Sequence, residues 1–245
     1  MRPDQLTESD KRSGTYTVGE VLRRETAQHR LSGEALAVMT ELATTGEPGR
    51  ADELLGEALA LLGPEADHFA PLLKALADRA HEFDELRTLA ETEPLTGLAN
   101  RRVFSAALWR ELARRSRRGG VLSVVLFDLD ALKALNDDAG HAAGDQAIRE
   151  LARACTEATR SSDLASRVGG DEFALLLPDT DAEEAALVAE RVRTSTAATH
   201  VAGRPLGVSV GVATATGTTT AEALLGVADA RLYRDKRARH SAHVA

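Results

Sequence analysis

"SRVGGDEFALLLP", Ser166–Pro178, sets two glycines and two carboxylates between two apolar runs. Leu164 to Val168 and Phe173 to Leu177 both read as strands. Gly169 and Gly170 between them predict a β-hairpin, because glycine tolerates the positive φ that tight turns need. Such a turn has no need of an acidic pair, so Asp171 and Glu172 call for a chemical reason.

A second cluster lies upstream, in "LFDLDALKALNDDAGHAAGD", Leu126–Asp145. Val121 to Phe127, "VLSVVLF", is a continuous apolar run and reads as a buried strand. Asp128 and Asp130 fall where that strand ends, and strand ends are where α/β sheets build sites. A carboxylate there costs desolvation unless a partner neutralises it. If the strands before Asp128 and after Asp171 are neighbours, their acid groups converge. Carboxylates that close raise one another's pKa unless a cation sits between them. Mg²⁺ fits, since it takes oxygen ligands and keeps phosphate oxygens in its shell. A single Asp at a strand end, or a lone Gly-Gly-Asp-Glu, is ordinarily turn chemistry. The two clusters in this order are far more specific.

The rest of the chain divides by pattern. Residues 1–16 are polar and read as a loose tail. Residues 17–92 are helical in pattern. Val18, Val21 and Leu22 make one short apolar face, and Leu36, Met39 and Leu42 a second. "TTGEPGR" breaks the chain; Leu54, Leu55, Ala58, Leu59 and Leu62 follow as a third helix, ended by Gly63-Pro64. A long helix then runs from about Asp67 towards Thr92. Along it Leu72, Leu76, Phe83, Leu86 and Ala90 approximate a heptad seam that Arg79 interrupts, suited to packing in its own bundle or to a dimeric stalk. His29, His68 and His81 are scattered there without cysteine and read as surface residues.

From residue 93 to 245 helix and strand patterns alternate. Helices are expected over Arg101–Ser116, with Trp109 in the core, and over 131–137, 145–159, 181–195 and 221–237, with a strand over 206–214. The order predicts an α/β sandwich, a mixed sheet with helices over it. With 43% apolar and 28% charged residues, the composition is that of a soluble globular protein. The only cysteine, Cys155, excludes an intramolecular disulfide, and no apolar run reaches bilayer length; a cytoplasmic protein without a membrane partner is expected. Net charge is −8, concentrated in the first 90 residues, which argues against a nucleic-acid-binding surface.

Taken together, "EPLTGLANRR", "FDLDALKALNDDAGHAAGD", "RSSDLASRVGGDEF", "SVGVA" and "ADARLYRDK" make the chain resemble the GGDEF-domain diguanylate cyclases over about residues 92–238. The resemblance implies a palm-like fold, as in adenylyl cyclases and polymerases, with a mostly antiparallel sheet. It implies condensation of two GTP to cyclic di-GMP with release of two pyrophosphates, by a homodimer. Asp128 and Asp171 would bind Mg²⁺, with Mn²⁺ as the alternative, and the Leu129 carbonyl would add an oxygen. Glu172 would serve as metal ligand or base. Lys133 would reach the triphosphate, with a solvated helix lysine as its plain reading. Gly169 and Gly170 would let the backbone approach the nucleotide. Asn136 and Asp145 would read the guanine edge, whose N1–H and N2–H a carboxylate accepts; alone they read as loop signal and helix cap. Lys236 would hold a distal phosphate. Arg160 and Asp163, with Arg191, match the family's inhibitory site for product; without the resemblance Arg160 and Asp163 read as a surface salt bridge.

Some positions depart from the family pattern. Glu93 stands where Asp is usual, Ala131 and Leu132 where aromatics often stand, and Arg239-His240 where Gly-Arg is usual. None removes an expected metal ligand. The rival reading is a non-catalytic receptor for GTP or cyclic di-GMP that signals through its helices; it has no need of Asp128, Asp171 and Glu172 together.

Overall fold

The computed structural model describes residues 31–243. The expected tail over 1–16, the face formed by Val18, Val21 and Leu22, and His29 lie outside the described residues. Two compact units divide between Ala90 and Glu91.

In the first unit, helices α1 (Gly33–Thr44), α2 (Pro48–Leu62) and α3 (Ala66–Glu91) pack around Met39, Leu42, Leu54, Phe69 and Leu73. Ser32 caps α1 by accepting from the Ala35 N–H at 3.1 Å. Arg79, read from sequence as an interruption of the seam, has a job inside the bundle: its guanidinium donates to the Ala43 carbonyl at the end of α1. The α3 seam is split. Leu76 is buried with the bundle, whereas Phe83, Leu86 and Leu89 are 65%, 57% and 72% exposed.

The second unit is a five-stranded sheet of order β1-β3-β4-β2-β7. Its strands are β1 (Ala99–Asn100), β2 (Leu122–Leu129), β3 (Leu164–Arg167), β4 (Glu172–Pro178) and β7 (Val208–Thr214). Only β1 and β3 run parallel; the other pairs are antiparallel. This is the mixed α/β sandwich the alternating pattern predicts, with the mostly antiparallel pairing the resemblance implies. A separate two-stranded ribbon, β5 (His200–Val201) with β6 (Arg204–Pro205), precedes β7.

Alternation along the strands sends side chains to two cores. Phe127, Leu129, Phe173 and Leu175 pack against α5 (Leu132–Ala139), α6 (His141–Ala158) and α7 (Ala182–Ala197). Val124, Ala174 and Leu176 face α4 (Arg101–Arg118) and α8 (Ala221–His243). Because both faces are covered, β2 reads as a continuous apolar run. Gly211 explains "SVGVA": a Cβ there would strike the Ala228 carbonyl and the Leu232 backbone of α8. Trp109, expected in the core, is 55% exposed on α4; Phe104, Leu108 and Leu112 take the buried positions instead. Helix α6 begins at His141, four residues before the sequence reading, because Gly140, at φ 84°, ends α5 and opens α6 in one residue.

Candidate active site

The register of β2 with β4 sets the site. Asp128 lies opposite Glu172, and the Leu129 N–H donates to the Asp171 carbonyl at 3.0 Å. Asp128 and Asp171 therefore come from neighbouring strand ends. Burial pushes the Asp128 carboxyl above the ordinary range, Lys236 works against this, and Asp171 and Asp130 add to it. Lys236, from α8, donates to Asp128 Oδ1 at 2.7 Å. Burial works to lower the Lys236 pKa, but the Asp128 contact and the field of Asp171 and Asp130 leave it raised.

Asp130 serves the frame. Its N–H donates to the Gly207 carbonyl at 2.9 Å, and Ser209 Oγ donates to its carboxylate at 2.6 Å. Arg239, one turn beyond Lys236, lies 3.8 Å from Asp130 and 3.4 Å from Asp235. Next comes Ala131 at φ 56°, a left-handed position that costs a non-glycine residue about 1–2 kcal/mol and here turns the chain from β2 into α5.

The hairpin exists, but without the positive φ expected of its glycines. Neither Gly169 nor Gly170 has a positive φ. Val168 and Gly169 donate their N–H groups to the Glu172 carbonyl at 2.9 and 3.2 Å. The Glu172 side chain folds back over Gly169, where any Cβ would collide with it. Gly170 is open on that side. The need is for room beside Glu172.

A cleft of about 450 Å³ opens beside this turn, lined by Lys133, Asn136, His141, Gly170 and Asp171 among others. Asn136 Oδ1 is buried with no hydrogen-bond partner among the described residues, and a Cβ on Gly144 would run into that side chain. A buried acceptor without a donor calls for a partner from outside the chain, such as water or a ligand. Asp145 is not at the lining; it follows Gly144 on α6, whose cap is Gly140, so the helix-cap reading of Asp145 does not hold. His141, given no role from sequence, is at the lining.

Among the described residues no three His, Cys, Asp or Glu side chains gather as a metal cage. Two carboxylates and a backbone carbonyl are nevertheless what Mg²⁺ takes when water and substrate phosphates complete its shell. The residues present fit that ion.

Arg160 and Asp163 sit in a turn after α6, not on a helix. The Asp163 carboxylate accepts from the Arg160 N–H at 2.9 Å, which leaves the Arg160 guanidinium outside the pairing. Arg191 reaches across from α7 to the Ala158 carbonyl at 2.8 Å, two residues before Arg160. The three residues thus share one corner.

Residues 90–242 match the family model described as "Diguanylate cyclase, GGDEF domain". The chain belongs to this family. Among curated relatives it is 42% identical over 168 residues to the diguanylate cyclase DgcP of Pseudomonas aeruginosa, covering 67% of this chain and 25% of that protein. It is 38% identical to the diguanylate cyclase DgcS of Shewanella oneidensis, covering 68% and 56%. The chain thus spans less than two thirds of either relative. A solved structure of the coiled coil and GGDEF domain of Caulobacter crescentus DgcB, in complex with c-di-GMP, superposes with a TM-score of 0.64 at 29% identity, covering 73% of this chain and 95% of that one.

Sequence reasoning missed one element of this GGDEF domain. Arg167, just before the glycines, lies 2.9 Å from Glu93 and donates to the Gly170 carbonyl at 2.7 Å. Glu93 also accepts from the Leu95 and Thr96 N–H groups and from Thr96 Oγ1, at 3.2, 3.0 and 2.8 Å. The start of the domain is thereby tied to the acidic turn through Glu93 and Arg167. Burial works to raise the Glu93 pKa, but Arg167, Thr96 and Leu95 outweigh it and hold the carboxyl below the ordinary 4.5. A depressed pKa gives stability that is present above the unfolded value and lost as pH falls through the folded one. Glu93→Gln is therefore expected to lower the melting temperature by a few degrees near neutral pH, with the gap to wild type closing as pH falls below the ordinary 4.5. Thermal unfolding across pH checks this; a gap independent of pH sinks the assignment.

Proposed function

We propose that the protein is a Mg²⁺-dependent diguanylate cyclase that joins two GTP into cyclic di-GMP as a homodimer. The observation that carries this reading is the meeting of Asp128 and Asp171 at neighbouring strand ends, beside the cleft of Lys133 and Asn136. In each half-reaction a 3′-hydroxyl attacks the α-phosphorus of the other GTP. The new 3′-O–P bond forms, the bond to the β-phosphate oxygen breaks, and pyrophosphate leaves.

Asp128, Asp171 and the Leu129 carbonyl would hold the divalent ion, which when bound stabilises charge on the attacking and leaving oxygens. Lys133 and Lys236 approach the strand end from α5 and α8 and would balance the triphosphate charge. Asn136 accepts from the guanine edge, with Asp145 behind it on α6. Gly169 and Gly170 keep the turn slim enough for close approach, and Glu172 acts as base or as a further ligand. The test is incubation of purified protein with GTP and Mg²⁺ and resolution of the nucleotide products. Cyclic di-GMP and pyrophosphate are expected; binding without turnover would leave a receptor.

The homodimer is supported by α3. Phe83, Leu86 and Leu89 are exposed at near-helical spacing, a face that a second copy can cover. Phe83→Glu with Leu86→Glu is expected to shift the sedimentation of the protein from dimer to monomer and to lower turnover. Product inhibition is supported by the corner of Arg160, Asp163 and Arg191, where a guanidinium can grip phosphate. Arg160→Ala is expected to raise the cyclic di-GMP concentration needed for half-inhibition by roughly tenfold or more. Initial rates that ignore added product in both proteins would remove this site.

A further inference from the structure

Helix α4, "RRVFSAALWRELARRSRR", carries seven arginines against one glutamate, in a chain whose net charge is −8. Arg50 on α2 and Arg153 on α6 show how the chain neutralises an exposed arginine: each reaches two carboxylates. Arg110, Arg117 and Arg118 are exposed on α4 and have no such pair among the described residues. A block of one sign left unneutralised on a protein of the other sign points to a ligand that supplies the missing charge.

Trp109 stands among these arginines. The helix turns Phe104, Leu108 and Leu112 to the core and sends the only tryptophan of the chain outward. One turn to either side lie Ala106 and Ala113, both exposed and small, so the indole stands clear of its neighbours. Helix α8 covers the same face of the sheet as α4, so the backs of the two helices form one surface. To it α8 adds Val227 and Tyr233, both exposed, with the Arg237 guanidinium 5.9 Å from the centre of the Tyr233 ring.

We propose that the outer face of α4 and α8 docks on a membrane leaflet rich in anionic phospholipid. The arginines meet the headgroup phosphates, and Trp109 and Tyr233 sit at headgroup level, with their apolar bodies inward and their polar edges towards water. The spread of the apolar side chains favours a leaflet over a macromolecule. Val227 and Tyr233 are about 9 Å apart along α8, and Trp109 is on the other helix. A protein interface gathers its anchors in one desolvated centre, whereas a fluid leaflet accepts scattered ones. The same scatter gives no continuous row of stacking platforms for a nucleic acid. Carboxylates elsewhere on the chain do not oppose the contact, since exposed charges beyond a Debye length, about 8 Å at physiological ionic strength, are largely screened. The Asn136 cleft opens among α5, α6 and the acidic turn, on the opposite side of the sheet from α4 and α8, and stays uncovered. The expectation of no membrane partner rested on the lack of a bilayer-length apolar run. No helix among the described residues can cross a membrane, but contact at the surface needs none.

Because Trp109 is the only tryptophan, the emission of the full chain reports on this face directly. With vesicles of phosphatidylcholine and phosphatidylglycerol the protein is expected to co-sediment and its emission to shift to the blue. Vesicles of phosphatidylcholine alone should produce neither. Raising salt from about 0.05 M to about 0.3 M should weaken the binding tenfold or more. The triple variant Arg110→Gln, Arg117→Gln, Arg118→Gln should lose at least tenfold in vesicle affinity. Its melting temperature should stay within a few degrees of wild type, because these arginines have no partner to lose and glutamine is a good helix former. No co-sedimentation with the anionic vesicles overturns the proposal. So does co-sedimentation that leaves the emission unmoved, or equal binding to phosphatidylcholine alone. An emission shift with poly-glutamate but not with anionic vesicles overturns it in favour of an acidic protein partner, and a shift with a single-stranded oligonucleotide alone does so in favour of nucleic acid. If the triple variant fails to fold, the lipid-composition and salt series on the wild-type protein decide. None of these readouts depends on nucleotide turnover, so failure of the cyclase reading is a separate outcome.

Discussion

Purified Asp128→Asn and Asp171→Ala proteins are expected to make cyclic di-GMP at least about 10³-fold more slowly than wild type, the scale of losing a main electrostatic anchor of a transition state. The β2–β4 ladder holds the two together. The Leu129 N–H bonded to the Asp171 carbonyl fixes the turn against the strand end. Asp128 is the more exacting position, at 7% exposure and hydrogen-bonded to Lys236. Asparagine keeps its shape and leaves the lysine a hydrogen-bond acceptor, so the fold should persist, with a melting temperature within a few degrees of wild type. The loss should appear in kcat and in the Mg²⁺ concentration that supports half-maximal rate. Binding of cyclic di-GMP at the Arg160 corner should be unmoved, because that turn follows α6 and shares no contact with Asp128 among those described. Either variant retaining more than a tenth of wild-type turnover would refute the metal assignment.

How far the sequence reaches is clearest at the acidic turn. The apolar runs of β2 and β4 were legible because each is buried on both faces, and the two acidic clusters followed from where those runs end. Their convergence needed only that the strands be neighbours, which the register supplies. Other features were not legible, for physical reasons. Strand β1 is two residues long and leaves no periodicity to read. The glycines of the turn suggested positive φ, whereas the space is taken up by the Glu172 side chain, a tertiary fact. Arg79 looked like a flaw in a heptad seam because the Ala43 carbonyl it meets is 36 residues away. Glu93 and Arg167 are 74 positions apart, and neither is unusual locally. Trp109 is expected in the core, but α4 turns that position outward. Local pattern gave the elements and the strand ends; partners brought in from distant segments had to come from the structure.

The choice of purine provides the other large effect. Asn136 Oδ1 is buried without a donor among the described residues, and a Cβ at position 144 would run into it. Guanine brings N1–H and N2–H to such an acceptor. Adenine has no matching donor pair, so an ATP bound there would leave the oxygen dry and unpaired, with the penalty that separates ligands at polar sites. ATP is therefore expected to turn over about 10⁴-fold less efficiently than GTP, compared as kcat/KM. Asn136→Ala should raise the KM for GTP by at least tenfold while narrowing the gap to ATP, since the unpaired oxygen goes with the side chain. Gly144→Ala should act in the same direction by pushing the carboxamide from its place, although it removes no polar atom. That pair separates recognition from packing: a merely structural Asn136 would lower GTP and ATP turnover alike. Wild-type protein that uses ATP within tenfold of GTP would show that Asn136 does not face the base, and the nucleotide would have to lie in some other orientation across the strand ends.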